Sequence, residues 1–363
     1  MAGQPKYLMV AETLRREIAE GVFQDGDKLM TEETMRMRFD VSRQTVRQAI
    51  ALLEEDGLVD RQRGSGTYVR HGRRKQIGKL QIGVVTTYIT DYIFPDIVRG
   101  MEEVLSRGDA VMTLSATYNS PEAERRILER MTEGQVDGVI VEGVRTARPT
   151  ANGDCFLRLA ERNIPVLQIN GYYRELQGVP YVAMDDAGGG RMAAAEIVRR
   201  GYRRPAALFK TDDLQGLERF RGLREALAEA GTEMPEERIL CFDTERRMDL
   251  YETRAGRDFA DMLAAGRADC VVCYNDVFAV NLIGRLEQRG VRMPEDLGVI
   301  SFDNSSFATV TRPQLTTLNH PREKLGALAA EKMLRMIDGR KEDSVCLPWE
   351  LVERASLPDR GQA

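Results

Sequence analysis

Apolar residues open the chain at helical spacing, at Leu8, Val10, Ala11, Leu14 and Ile18. Gly21 and the turn Gln24-Asp-Gly-Asp27 end that stripe. Thr31, backed by Glu32 and Glu33, is placed to cap a second short helix over 32–38, and Ser42 a third running to about Asp56. On a wheel of about 100° per residue, Val46, Ile50 and Leu53 share one narrow sector, with Ala49 and Leu52 beside it. Arg43, Gln44, Arg47 and Gln48 face the other way. Gly57 stops the helix, and two short strands at 58–61 and 66–69 bracket the glycine-rich tip Gln62-Arg-Gly-Ser65.

A helix backed by aliphatic side chains and showing two Arg and two Gln suits the major groove of double-stranded DNA. Arginine can bond guanine O6 and N7 together, and glutamine can pair with adenine. The hairpin, with Arg61 and Arg63 near its tip, would reach phosphate or the minor groove. Charge supports this placement. The whole chain carries −5, yet residues 1–75 hold 14 Lys+Arg against 12 Asp+Glu, and the segment from Arg61 to Lys75 has five Arg, one Lys and no acid. A basic segment on an acidic body reads as a local phosphate-binding element.

From Leu80 the pattern changes to short apolar runs alternating with amphipathic helices. Strands are expected at 81–86, 110–115, 138–142, 166–169, 181–184, 204–209, 239–242, 270–273 and 298–302, with helices between them, for example at 93–106, 121–132, 188–200 and 217–230. Such alternation predicts a parallel α/β architecture, and about nine strands suggest two sheets. Sheets of this kind bind ligands outside the carboxyl ends of their strands. Asp91 and Tyr92 follow the first strand, and Glu142, Asn170, Lys210, Asn275 and Asp303 close others. Polar residues at strand ends are also ordinary loop residues.

Composition removes several classes of function. A chain of 363 residues suits two or three domains; 42% hydrophobic and 30% charged are values of a globular protein. No apolar leader with a cleavage site and no run of 18 apolar residues occurs, so a cytoplasmic protein with no membrane partner is expected. The cysteines are Cys155, Cys241, Cys270, Cys273 and Cys346, an odd set that does not suggest a disulfide framework. Cys270 and Cys273 lie in a run that reads as a buried strand, where an offset of three turns the thiols to opposite faces, so both are expected in the core. Two histidines, His71 and His320, leave little for a zinc site or a Ser-His arrangement. Neither a Walker loop nor a G-x-G-x-x-G after a strand is present. No catalytic set, metal or cofactor is expected.

Three motifs carry a resemblance. Val41-Ser-Arg-Gln-Thr-Val-Arg-Gln-Ala-Ile50, Leu52-Leu-Glu-Glu-Asp-Gly-Leu58 and Arg63-Gly-Ser-Gly-Thr-Tyr-Val69 resemble the GntR family of winged helix-turn-helix repressors. The resemblance implies DNA contacts by the residues matching Arg43, Thr45 and Arg47 and by the wing tip. With the wheel, the expected DNA-facing set is Glu32, Ser42, Arg43, Gln44, Thr45, Arg47, Arg61, Arg63 and Gly64. One departure is Leu29-Met-Thr-Glu32, where the family usually has proline at the second position.

Residues 80–356 resemble the sugar-binding domain of the lactose-repressor family, itself similar to two-lobed periplasmic sugar-binding proteins. The carriers are Val182-Ala-Met-Asp-Asp-Ala-Gly-Gly-Gly-Arg-Met-Ala193, Arg219-Phe-Arg-Gly-Leu223, Cys273-Tyr-Asn-Asp276, Gly298-Val-Ile-Ser-Phe-Asp303 and Leu315-Thr-Thr317. The pairing of the two types, with 87–95 and 209–216, is similar to the arabinose-repressor family of Gram-positive bacteria. It implies a homodimer on a pseudo-palindromic operator, released by L-arabinose or a similar sugar. By position, Tyr92 and Phe94 would wall the sugar, and Glu142, Asn170, Arg219, Asn275, Asp303 and His320 would bond its hydroxyls. Lys210 and Gln215 join them from the Phe-Lys-Thr-Asp-Asp-Leu-Gln run. The expected organisation is a DNA-binding domain at 1–71, a linker at 72–79 and an effector-binding, dimerising domain at 80–363. A different sugar or a purine as effector remains open on these residues, as does, more distantly, a sugar-metabolising enzyme.

Overall fold

A computed structural model of the chain describes residues 5–19, 21–24, 26–55, 58–62, 65–69, 79–90, 93–134 and 136–361. The chain separates into two compact units, Met1–Leu80 and Gln81–Ala363.

The first unit holds α1 (Lys6–Ala19), α2 (Glu32–Phe39), α3 (Arg43–Glu55) and a hairpin of β1 (Val59–Gln62) and β2 (Gly66–Val69). The expected caps form: Thr31 Oγ1 accepts the Thr34 N–H at 3.2 Å, and Ser42 Oγ accepts the Thr45 N–H at 3.1 Å. Both satisfy amides that a helix start leaves orphaned. Val10, Leu14, Met35, Val46, Ile50 and Leu53 form one core with Val59 and Val69 of the hairpin. The hairpin is antiparallel, pairing Val59 with Val69 and Gln62 with Gly66.

The second unit runs through β3 (Leu80–Thr86), α4 (Phe94–Arg107), β4 (Ala110–Ala116), α5 (Pro121–Glu133), β5 (Gly138–Val141), α6 (Gly153–Glu161), β6 (Val166–Ile169) and β7 (Tyr181–Met184) as a first lobe. It crosses at Asp185 into a second lobe of α7 (Asp186–Arg199), β8 (Pro205–Lys210), α8 (Leu214–Glu229), β9 (Ile239–Phe242), α9 (Arg254–Ala264), β10 (Cys270–Cys273), α10 (Asp276–Glu287), β11 (Gly298–Asp303), α11 (Phe307–Val310) and β12 (Thr316–Asn319). His320 and Pro321 lead back to α12 (Arg322–Ile337) and β13 (Val345–Leu347) of the first lobe. Pro348 and Trp349 then cross a third time to β14 (Glu350–Val352).

Two six-stranded sheets result, ordered β13-β7-β6-β5-β3-β4 and β14-β12-β11-β10-β8-β9. The nine expected strands are joined by β12, β13 and β14. Two of these have three residues and none is an aliphatic run, so they give no periodic signal. The expected parallel sheets form, with β14 added antiparallel to β12 at one edge. Cys270 and Cys273 are buried free thiols in β10, as expected of core residues. Helices α7 and α8 pack backbone to backbone: a methyl on Gly190 would collide with the Arg219 carbonyl, and one on Gly222 with that of Ala187.

Candidate functional site

The carboxyl ends of both sheets face a cleft of about 910 Å³, mouth included. Helix dipoles and free backbone groups at strand ends make this the usual place for a ligand in an open α/β sheet. The sequence placed Phe94, Glu142, Asn170, Lys210, Gln215, Arg219, Asn275, Asp303 and His320 together, and all nine line this cleft. Tyr92 lies outside the described residues. Thr87, Tyr88, Asn119, Asp186, Asp213, Arg247 and Tyr274 also line it and were not singled out. Asp186 and Tyr274 stood inside quoted motifs, where the strings carried a signal that single-residue reasoning passed over. Nothing in the local pattern marks Asn119 or Arg247.

On the first lobe, Glu142 follows β5 and is buried. It accepts from the Thr87 N–H at 2.9 Å, the Thr87 hydroxyl at 2.5 Å and the Asn170 amide at 3.2 Å. Burial pushes this carboxyl above its ordinary range, with the Thr87 and Asn170 donors opposing. Asn170 follows β6 with φ of 51°, a left-handed conformation that asparagine tolerates better than most residues. Its Oδ1 is buried with no partner among the described residues, as are Gln215 Oε1 and His320 Nδ1. Buried polar atoms are normally bonded. Three open ones in a single cleft mark where a ligand with several hydroxyls would be held.

On the second lobe, Arg219 of α8 is the central cation. Its Nε donates to Asp186 Oδ1 at 2.8 Å, its Nη1 to the Tyr274 carbonyl at 3.0 Å, and its Nη2 lies 3.6 Å from Asp303 Oδ1. The guanidinium stacks within 5.4 Å of Tyr274 and 4.7 Å of Phe302. Lys210, ending β8, pairs with Asp212 at 2.9 Å and Asp213 at 3.0 Å. Burial works against its charge, but the two carboxylates hold it above the usual lysine value. Burial pushes Asp186 up to about 6 against Arg219, and Asp303 up to about 8 against Arg322. Burial, with Arg219 and Arg322, pushes His320 down to about 3. The imidazole is therefore neutral near pH 7, and a protonated Asp303 carboxyl can both give and accept hydrogen bonds. Asn275 caps α10 with its side-chain Oδ1, which accepts from the Phe278 N–H at 3.2 Å. Beside the cleft the lobes touch directly: Arg145 pairs with Glu245 at 3.1 Å, and the Leu214 N–H donates to Thr146 Oγ1 at 3.0 Å.

In the first unit, Arg43, Gln44, Arg47 and Gln48 occupy the exposed face of α3, with Thr45 half-buried beside them. Glu32 of α2 reaches this face and accepts from Arg43 Nε at 2.9 Å and Arg47 Nε at 3.0 Å. These partners hold its carboxyl below the usual range. Arg61 is exposed on β1, while Arg63 and Gly64 lie outside the described residues. Among the described residues no helix is long and apolar enough to cross a membrane.

Comparison with known proteins matches each unit to a family. Residues 6–69 match bacterial regulatory proteins of the GntR family, and residues 194–357 match the periplasmic binding protein-like domain. The chain is 37% identical over 342 residues to an arabinose metabolism transcriptional repressor of Geobacillus stearothermophilus, covering 94% of this chain and 93% of that one. It is 34% identical over 346 residues to the repressor of the same name from Halalkalibacterium halodurans, covering 94% and 91%. The crystal structure of the transcription regulator CcpA of Lactococcus lactis superposes with a TM-score of 0.66 at 26% identity, over 77% of this chain and 99% of that one. These relatives are regulators, not enzymes. The chain belongs to the family of the arabinose metabolism transcriptional repressors, which joins a GntR-type DNA-binding domain to a periplasmic-binding-protein-like domain to repress genes of sugar metabolism.

Proposed function

We propose that the chain is a cytoplasmic homodimer that holds a pseudo-palindromic operator of pentose-use genes and releases it when L-arabinose fills the cleft. The names of the two relatives favour this sugar. The observation that carries the reading is the cleft itself: three buried polar atoms with no partner among the described residues, raised carboxyls and a neutral His320 suit a small, uncharged, hydroxyl-rich ligand. In this reading Phe94, with Tyr92, walls the sugar. Glu142, Asn170, Lys210, Gln215, Arg219, Asn275, Asp303 and His320 bond its hydroxyls. Arg43, Gln44, Thr45 and Arg47 read the major groove, Glu32 and Ser42 set the recognition helix, and Arg61, Arg63 and Gly64 approach the backbone. A sugar can drive release only by binding the released arrangement better than the operator-bound one.

Calorimetry on the full-length protein decides the ligand. Heat with L-arabinose and none with glucose or a purine is expected, and the reverse pattern would overturn the assignment. Arg219→Ala should abolish sugar binding and leave operator binding in place, giving a repressor that cannot be induced. Hydrogen bonds to a charged group contribute about 1.5–3 kcal/mol each, so losing those that the guanidinium gives the sugar puts a micromolar site out of reach.

A further inference from the structure

The chain passes between the lobes of the second unit three times, at Asp185, at His320-Pro321 and at Pro348-Trp349. Trp349, on the third crossing, is buried yet does not line the cleft. It stands one layer behind Arg219, with its ring 4.8 Å from the guanidinium carbon. His320, on the second crossing, meets the indole edge-on at 5.7 Å, and Phe302 of β11 does so at 5.3 Å. Asp186, just past the first crossing, holds the same Arg219 at 2.8 Å. On the remaining side lies Gly189 of α7, where a Cβ would sit 2.7 Å from indole Cδ1 and 2.8 Å from Nε1. The indole is thus a rigid plate filling the space between a ligand-facing cation and the backbone of α7.

We infer that Trp349 is the positioning residue that transmits occupancy of the cleft to the lobe crossings. A sugar bonded to Arg219 draws on a guanidinium whose flat face rests on the indole. The plate has no slack against Gly189, so a displaced guanidinium moves the third crossing with it. The indole Nε1–H finds no acceptor among the described residues. A lobe arrangement that gives it one is favoured over the present arrangement by the recovered hydrogen bond. That is what a two-state element needs: two packings close in energy, and a ligand that prefers one. The inference rests on the proposed sugar-controlled release.

The test uses full-length protein, L-arabinose and labelled operator. Trp349→Leu removes the aromatic plate and Trp349→Phe keeps most of it. Trp349→Leu is expected to bind L-arabinose and sugar-free operator within about threefold of the parent, while the sugar needed for half-release rises at least about tenfold. Trp349→Phe should bring half-release back to within about threefold of the parent. Should Trp349→Leu not fold, Gly189→Ala crowds the plate from behind and is expected to raise half-release in the same way. As the only tryptophan of the sequence, Trp349 should also change its emission when the parent binds sugar. Release that tracks binding in Trp349→Leu, or an emission indifferent to bound sugar, overturns the inference and leaves the functional reading intact. A parent that ignores L-arabinose fails that reading first, and this role for Trp349 with it.

Discussion

Buried charge decides the behaviour of single residues in the cleft. Asp303 follows no exposed-surface rule: removal from water raises its carboxyl to about 8, although Arg322 opposes the shift. An unfolded aspartate titrates near about 4, so between about pH 4 and pH 8 the folded protein holds a proton that the unfolded chain has lost. The neutral Asp303 therefore favours the fold fully below about pH 4, and that advantage falls by about 1.4 kcal/mol per pH unit until about pH 8. His320 acts in the opposite sense. Its depressed value means that acid, below an unfolded value of about 6.5, favours the unfolded chain. Thermal melts of Asp303→Asn against the parent should show a shallower loss of Tm from pH 6 to pH 8. Parallel curves would mean that Asp303 is ionised throughout that range. Glu32 makes a contrasting case, because its pairs with Arg43 and Arg47 are exposed. Exposed pairs contribute about 0–1 kcal/mol, so Glu32→Gln should scarcely change the melting of the first unit.

Helix α3 shows how one element serves two ends. Val46, Ile50 and Leu53 anchor it in the core, and the arginines on its outer face are free of packing duty. Arg43→Ala or Arg47→Ala should weaken specific operator binding by about 1–3 kcal/mol each without lowering Tm or sugar affinity. Footprints identical to the parent's in both variants would mean that this face does not read the operator. The α7–α8 pair makes a second elemental prediction. Gly222→Ala forces a methyl against the Ala187 carbonyl, and overpacking of this kind costs about 1–3 kcal/mol, read as a lower Tm. These features differ in how legible they were. The stripe of α3, its Ser42 cap and the glycine-ended hairpin follow from periodicity and capping chemistry, which are local. Glu142, Asn170 and Asp303 were legible because parallel strands deliver their last residues to one edge. Trp349, Arg247 and the pairing of β14 with β12 were not, since each depends on residues far apart in the chain meeting in space, and no periodic pattern encodes that meeting.

For the whole molecule, the two units divide the labour: a basic-faced DNA-binding unit, and an acidic sugar-binding unit with a cleft between lobes. Operator binding should fall linearly in log K against log salt, as phosphate contacts release counterions. Arg61→Ala should flatten that slope by about one. An unchanged slope would reduce the basic segment to solvated charge. A pseudo-palindromic operator calls for a twofold protein, so sedimentation should give a dimer at micromolar concentration. The central claim is that sugar in the cleft lowers operator affinity. It is tested most directly by titrating L-arabinose into full-length protein bound to labelled operator and following anisotropy. Release that saturates with L-arabinose in the parent, and is absent in Arg219→Ala at every sugar concentration, is the predicted result. Operator that stays bound while calorimetry shows the cleft filled with L-arabinose would contradict it.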